Sequence, residues 1–271
     1  MMRVAFVQYE MKFGDPDWNR GKGAGMISDA RADLVVLPEL CTSGYLFTSK
    51  QEAEALAEPI DGGPSVLLWK QLAARKNVHI VAGIAEKADG KVFNSAVLVR
   101  PSGGVDVYRK THLFNEEKLW FSPGDTGFRV FDVGAARVGI MVCFDWFFPE
   151  SCRTLALKGA DVICHPANLV MPYCQDAMVT RCLENRVFAV TANRFGIERR
   201  GGKQYTFTGR SRIINAFGQV LAEGPVREES VLAAEINVAD ARNKKIGELN
   251  DLVNDRRPES YELGPAAATR L

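Results

Sequence analysis

Three short stretches of this chain each bring a reactive side chain to the end of an apolar run. In VGIMVCFDWFFPES, the run Val138–Val142 leads into Cys143, and Pro149 and Glu150 then open a helix-like segment. A thiol held where a strand ends is exposed at the sheet edge with backbone N–H groups nearby, a placement suited to nucleophilic attack on an acyl-type carbon. It becomes useful only as a thiolate, so a base and a cation are required. In LVVLPELCTSGY, Glu39 follows a buried-type strand and Pro38. Partial desolvation there raises a carboxylate's proton affinity and suits a general base, although an ordinary loop glutamate reads equally well from this stretch alone. In VYRKTHLFNEEKLWFSPGD, Lys110 ends another strand. An ammonium there could hold a thiolate or an oxyanion, although a solvated surface position is the commoner fate of lysine. Glu116 and Glu117 follow in a loop with Trp120 and Phe121. A thiol, a base and a cation at the C-terminal ends of different strands form a constellation that α/β sheets favour at their active edge.

The elements that must position these groups alternate along the chain. Arg3–Tyr9 reads as a strand, Gly23–Arg31 as a helix and Asp33–Leu37 as a short buried strand. GKGAG at Gly21–Gly25 does not directly follow a strand, as a phosphate-binding loop would, and reads as a flexible turn. Pro64–Lys76 has helical apolar spacing and a proline in its first turn. Val78–Ala85, Val92–Val99, Val105–Arg109, Phe128–Val133 and Arg137–Val142 are strand-like. Pro149–Gly159 reads as a helix closing on glycine, followed by a strand at Asp161–His165, a helix at Asp176–Val187 and a strand at Phe188–Asn193. Arg194–Thr208 is charged and glycine-broken and reads as a loop. Arg210–Ala216, Val220–Glu223 and Val231–Ile236 suggest an antiparallel run before a last helix at Val238–Lys245. The alternation predicts α/β packing, with helices covering a mixed sheet. With no linker-like stretch or repeat, 1–271 is read as one domain with a tail over about 256–271.

Composition narrows the function classes. A net charge of +1 gives no reason to expect a nucleic acid or an anionic membrane as partner. No apolar run is long enough to span a bilayer, and the N-terminus is too short in apolar residues for a signal peptide. The six cysteines at 41, 143, 152, 164, 174 and 182 include no C-x-x-C pair, and none stands near a histidine pair, which argues against a zinc site. Six in a chain of this length are not a disulfide framework either, so the expectation is a cytoplasmic protein whose cysteines are mostly small buried residues. His79, His112 and His165 stand apart and give no Ser–His–Asp pattern.

Taken together, these blocks resemble the carbon–nitrogen hydrolase (nitrilase) superfamily. The likeness runs from Val4 to about Arg257 and is carried by PEL with Glu39, YRKTHLF with Lys110, EKLWFSPGD with Glu117 and CFDWFFPES with Cys143. FNSAVL at Phe93–Leu98, HPANLVMP at His165–Pro172 and LENRVF at Leu183–Phe188 add support. The longer blocks look especially like aliphatic nitrilases and amidases and like carbamoylputrescine-type amidohydrolases. The resemblance implies a four-layer αββα sandwich with helices outside, pairing with a second subunit. Helices Pro149–Gly159 and Asp176–Val187 and the tail after Asp255 are expected near that interface. It implies a triad of Glu39, Lys110 and Cys143, with Glu117 beside it, preferred to Glu116 by its spacing before Pro123. It implies no metal and no organic cofactor.

The activity implied is hydrolysis of a small aliphatic amide through a thioester, with Lys110 and the Phe144 N–H facing the oxyanion. A nitrilase, an N-carbamoyl amine hydrolase and a non-catalytic binding member of the fold are the alternatives. Tyr45, Phe121, Phe144, Trp146 and Asn168 are candidate pocket residues, and Phe147 and Phe148 are expected in packing. Family members that act on N-carbamoyl amino acids carry arginines soon after the cysteine. Asp145, Trp146 and Phe147 stand there in this chain, which fits a neutral or cationic substrate better than a carboxylate. Asp145 serves equally well by hydrogen-bonding its own turn. His112 and His165 are expected near the site in structural hydrogen bonds, and His79 packed within its strand.

Overall fold

The computed structural model describes residues 1–261 and 264, so part of the tail expected over 256–271 lies outside the described residues. In order, the elements are β1 (Met2–Gln8), α1 (Pro16–Asp29), β2 (Leu34–Val36), α2 (Lys50–Leu56), α3 (Pro64–Lys76), β3 (His79–Ala88), β4 (Lys91–Val99), β5 (Val105–Arg109) and α4 (Glu117–Trp120). There follow β6 (Val130–Asp132), β7 (Arg137–Ile140), α5 (Pro149–Leu157), β8 (Val162–Pro166), α6 (Cys174–Asn185), β9 (Phe188–Ala192), β10 (Phe195–Arg200) and β11 (Lys203–Thr208). The last are β12 (Arg212–Ile214), β13 (Val220–Glu223), β14 (Ser230–Ile236) and α7 (Val238–Arg242).

Period-2 alternation of apolar residues on both faces sets the layering. Val4 and Phe6 of β1, with Leu34 and Val36 of β2, join a core shared with Val138 and Ile140 of β7 and Val162 and Cys164 of β8. Their neighbours Ala5, Val7 and Val35 point the other way, onto Ile27 of α1 and Val66, Trp69 and Leu72 of α3. One six-stranded sheet has the order β14-β1-β2-β3-β4-β5, and the other β13-β12-β9-β8-β7-β6. Each mixes parallel and antiparallel pairs: β1, β2 and β3 are parallel, as are β7, β8 and β9. Helices α5 and α6 contribute Cys152, Leu155, Met178 and Cys182 to the core from the far side of the second sheet. The result is the αββα sandwich, with β2, β5 and β7 ending at the corner where the candidate groups gather.

Three expectations are corrected. Arg194–Thr208 is not a loop but the hairpin β10–β11, turning at Gly201 and Gly202 with positive φ. Its strands are solvated along most of their length, so the alternation is faint in sequence. Gly21–Gly25 is not a flexible turn but the middle of α1. Asp15 caps that helix by accepting from Trp18 N at 3.1 Å, Pro16 opens it, and Gly23 allows close approach to Tyr9 and Leu37. Glu117 opens the short helix α4 rather than lying in a loop. Among the described residues no helix is long and apolar enough to cross a membrane, and all six cysteines are free and buried.

Candidate active site

Glu39 follows β2 in a turn that Leu40 enters at φ 46°. The turn rests on Gly83 of β3, whose N–H donates to Pro38 O at 3.1 Å and whose carbonyl accepts from Cys41 N at 3.0 Å. A β-carbon at Gly83 would sit 2.4 Å from Glu39 Cα, so only glycine permits this contact. Lys110 leaves β5 with its N–H donating to Asn94 O of β4 at 2.8 Å. Behind it Gly124 donates to Lys110 O at 3.0 Å, and a β-carbon there would lie 2.6 Å from that oxygen.

Cys143 starts a 3₁₀ turn, Cys143–Phe147, with φ 43°. Such a value in a non-glycine residue is strained and persists only where its surroundings impose it. Two contacts do so. His165 Nε2 donates to Cys143 O at 3.0 Å, which makes Nδ1 the acceptor for the Thr191 hydroxyl at 3.1 Å. Asp145, fully buried, accepts from Val142 N at 2.9 Å, Tyr108 OH at 2.7 Å, His112 N at 3.0 Å and His112 Nδ1 at 2.8 Å. Val142 belongs to the Cys143 turn, whereas Tyr108 and His112 flank Lys110, so one carboxylate ties the Cys143 segment to the Lys110 segment. With its oxygens committed in this way Asp145 offers nothing to a cationic substrate, and of the two roles considered for it the structural one stands. The imidazole of His112 stacks on Phe148 at 3.7 Å.

The charged groups are wholly enclosed. Lys110 Nζ lies 2.6 Å from Glu39 Oε1 and 2.9 and 2.8 Å from the two Glu117 oxygens. Asn94 Nδ2 donates to Glu39 Oε1 at 2.7 Å, and Tyr45 OH to Glu117 Oε1 at 2.6 Å. Glu39 Oε2 is buried and has no partner among the described residues. Burial pushes the Glu39 carboxyl up, against the lowering pull of Lys110. For Lys110 burial pulls down, but Glu117 and Glu39 outweigh it and hold the ammonium firmly charged. Burial, then the Glu39 charge, drives the Cys143 thiol up despite Lys110. One lysine against two carboxylates leaves a negative excess, so the corner resists a free thiolate. Asn168 links the parts: its Nδ2 donates to Glu39 O at 2.9 Å, and its carbonyl lies 3.8 Å from Cys143 Sγ.

Cys143 is 5% exposed, so it is buried rather than open at the sheet edge, because Phe114, Phe144, Trp146, Asn168, Leu169, Val170 and Met171 close a cleft over it. A second small cleft lies against Tyr45, Glu116, Glu117, Trp120 and Tyr205. Thus Phe144, Trp146 and Asn168 line the cysteine's cleft, and Tyr45 lines its neighbour. Phe121 instead packs in the cluster behind, 5.4 Å from Phe47. Phe147 is 49% exposed, its ring packing at the surface 4.8 Å from that of Trp146 and 5.6 Å from that of Phe144. Sequence reasoning passed over Phe114, Asn94, Gly83 and Gly124; Gly124 stands inside the EKLWFSPGD block, whereas Gly83 meets the Glu39 turn only in space. It also passed over Glu198, which accepts from Tyr45 N at 3.2 Å and Leu46 N at 2.7 Å and pairs with buried Arg194. A much larger hollow, about 660 Å³, lies elsewhere, between α5, α6 and residues 246–261.

The sequence profile of the carbon–nitrogen hydrolase family matches residues 3–246. A nitrilase of Pyrococcus abyssi is 50% identical over 264 residues, covering 96% of this chain and 99% of that protein. The structure of a carbon–nitrogen hydrolase from Helicobacter pylori G27 superposes with a TM-score of 0.88 at 26% identity, over 96% of this chain and 97% of the other. A glutamate-to-glutamine mutant of the amidase of Nesterenkonia sp. AN1, seen after Michael addition of acrylamide at its active-site cysteine, superposes with a TM-score of 0.78 at 25% identity, over 96% and 98%. A buried thiol, an enclosed lysine between two carboxylates and this sandwich therefore occur here in a chain that belongs to the carbon–nitrogen hydrolase family and is a hydrolase.

Proposed function

We propose that the protein is an amidase acting on small aliphatic amides, with Cys143 as nucleophile, Glu39 as general base and acid, and Lys110 as the oxyanion's cation. The observation that carries this is the Glu39 carboxylate: Oε1 is held by Lys110 and Asn94, while Oε2 is buried and free to take a proton. Sγ attacks the amide carbon as its proton passes to Glu39, and the carbonyl electrons move onto oxygen, which faces Lys110 and the Phe144 N–H. Glu39 then returns the proton to the nitrogen, ammonia leaves and a thioester remains. A water deprotonated by Glu39 attacks the thioester, the C–S bond breaks, and the proton goes back to sulfur. Glu117, steadied by Tyr45, orients Lys110. Each proton on Glu39 relieves the corner's negative excess, which is the physical reason for assigning it both roles.

A nitrile is the second reading, favoured by the 50%-identical relative that bears the name nitrilase. The clefts' lining carries no arginine, which speaks against a carboxylate-bearing N-carbamoyl substrate. Six unpaired thiols fit a reducing compartment, the cytoplasm. Exposed Phe147, Leu157 and Leu183 fit a homodimer joined through the α5–α6 face.

The test is ammonia release from a panel of small aliphatic amides, nitriles and N-carbamoyl amines, run beside Cys143→Ala. Release from amides that disappears in a folded Cys143→Ala protein is the expected outcome. Full activity in that variant would sink the assignment of Cys143, and release from nitriles alone would replace the amide.

A further inference from the structure

We propose that the ring of Phe114 is the wall that restricts the acyl group to short, uncharged aliphatic chains, by dividing one potential pocket into two small halves. This rests on the reading of Cys143 as the nucleophile. Phe114 is the residue common to both clefts. The Cys143 cleft is otherwise lined by Phe144, Trp146, Asn168, Leu169, Val170 and Met171, with no charged side chain among them, so a charged acyl tail would lose its hydration without gaining a partner. The second cleft is lined, besides Phe114, by residues that include Tyr45, Glu116, Glu117, Trp120 and Tyr205. The halves measure about 20 and 10 Å³, each with room for about one water molecule. An acyl group bonded to Sγ therefore meets the ring within a few carbons.

The ring is also held in place. Phe114 N donates to Glu117 Oε2 at 3.3 Å, and its ring meets Phe144 edge to face at 5.1 Å. The next residue, Asn115, has φ 46°, a backbone state that disfavours sliding the segment. Phe114 is thus tied through its backbone to the carboxylate that holds Lys110 and through its side chain to the residue after the nucleophile. Truncating the ring removes the partition and joins the halves into one longer pocket.

The test uses 2-bromoalkanamides from bromoacetamide to bromohexanamide. Each alkylates Cys143 by forming an S–C bond as the C–Br bond breaks and bromide leaves, the thiol proton passing to Glu39, so labelling reads the pocket without turnover. Labelling rates at Cys143, located by peptide mass spectrometry, are compared between the parent protein, Phe114→Ala and Phe114→Leu. Ammonia release from acetamide to hexanamide is measured alongside. The ratio of long-chain to short-chain labelling is expected to rise about tenfold or more in Phe114→Ala, in line with about 10- to 200-fold per methylene in a tight pocket. Phe114→Leu should fall between, and it carries the test if the alanine variant does not fold. An unchanged ratio in a folded variant overturns the proposal. A chain-length shift in labelling without ammonia from any amide upholds the wall and overturns the amidase reading instead.

Discussion

Two hollows of this molecule differ in size and in chemical content. The hollow between α5, α6 and residues 246–261 encloses about 660 Å³, whereas the cleft over Cys143 encloses about 20 Å³. The large one is bordered by Glu150, Arg153, Glu184, Asp251 and Asp255 and contains no nucleophile. Beside the small one Lys110 and Glu39 have no exposed surface at all, and each depends on the other to remain charged there. Space marks where the chain left a gap between elements. Reactivity comes from desolvated charges that hold one another, because low dielectric strengthens each interaction.

Beyond the abolition expected from Cys143→Ala, the largest further effect should come from Asp145→Asn. An amide cannot accept all four hydrogen bonds that join the Cys143 turn to Tyr108 and His112. Hydrogen bonds to a charged group contribute about 1.5–3 kcal/mol, so kcat should fall roughly 10- to 100-fold while KM changes little. A normal kcat would show that the clamp does not position the nucleophile.

A smaller effect concerns His165, which burial pushes down to about 4. The unfolded chain takes up its proton near pH 6.5, but the folded protein does so only near 4. Stability from this residue is therefore complete above the unfolded value and is lost as pH falls through that window, by up to about 3 kcal/mol. Thermal melts between pH 7 and pH 4 should show a shallower decline for His165→Asn than for the parent. Equal slopes would contradict a neutral His165. The smallest effect should be Leu252→Ala in the large hollow, with turnover within about twofold of the parent. A tenfold loss would show that this hollow is coupled to the Cys143 corner and would dissolve the contrast between the two.

How much of this was legible in the sequence depended on how strongly each segment is buried. β1, β2, β3 and β4 carry apolar residues on both faces, and their strands could be read directly. The β10–β11 hairpin buries little beyond Glu198 and Phe207, so charge and glycine hid its alternation, although the Gly201–Gly202 pair is itself a hairpin signal. In α1, Gly21, Gly23 and Gly25 masked the first two turns, announced by Asp15 and Pro16, of a helix read only from Gly23 onward. The site was partly legible because Glu39, Lys110 and Cys143 each stand just past a strand. Phe114 was not, because its importance lies in touching two clefts at once.

The sequence by itself determined α/β packing, through alternating strand and helix patterns, and the three reactive groups at strand ends, through residue type and local order; the two-sheet sandwich was legible only through the family resemblance. Only the tertiary structure decided that Lys110 lies between Glu39 and Glu117, that one oxygen of Glu39 stays free, and that Asp145 joins the segments carrying Lys110 and Cys143. The reason is physical. Alternation and propensity act over a few neighbouring residues, whereas the charge state of a buried group is set by whatever the fold brings within hydrogen-bonding distance, here Lys110 to Glu39 across 71 positions of chain.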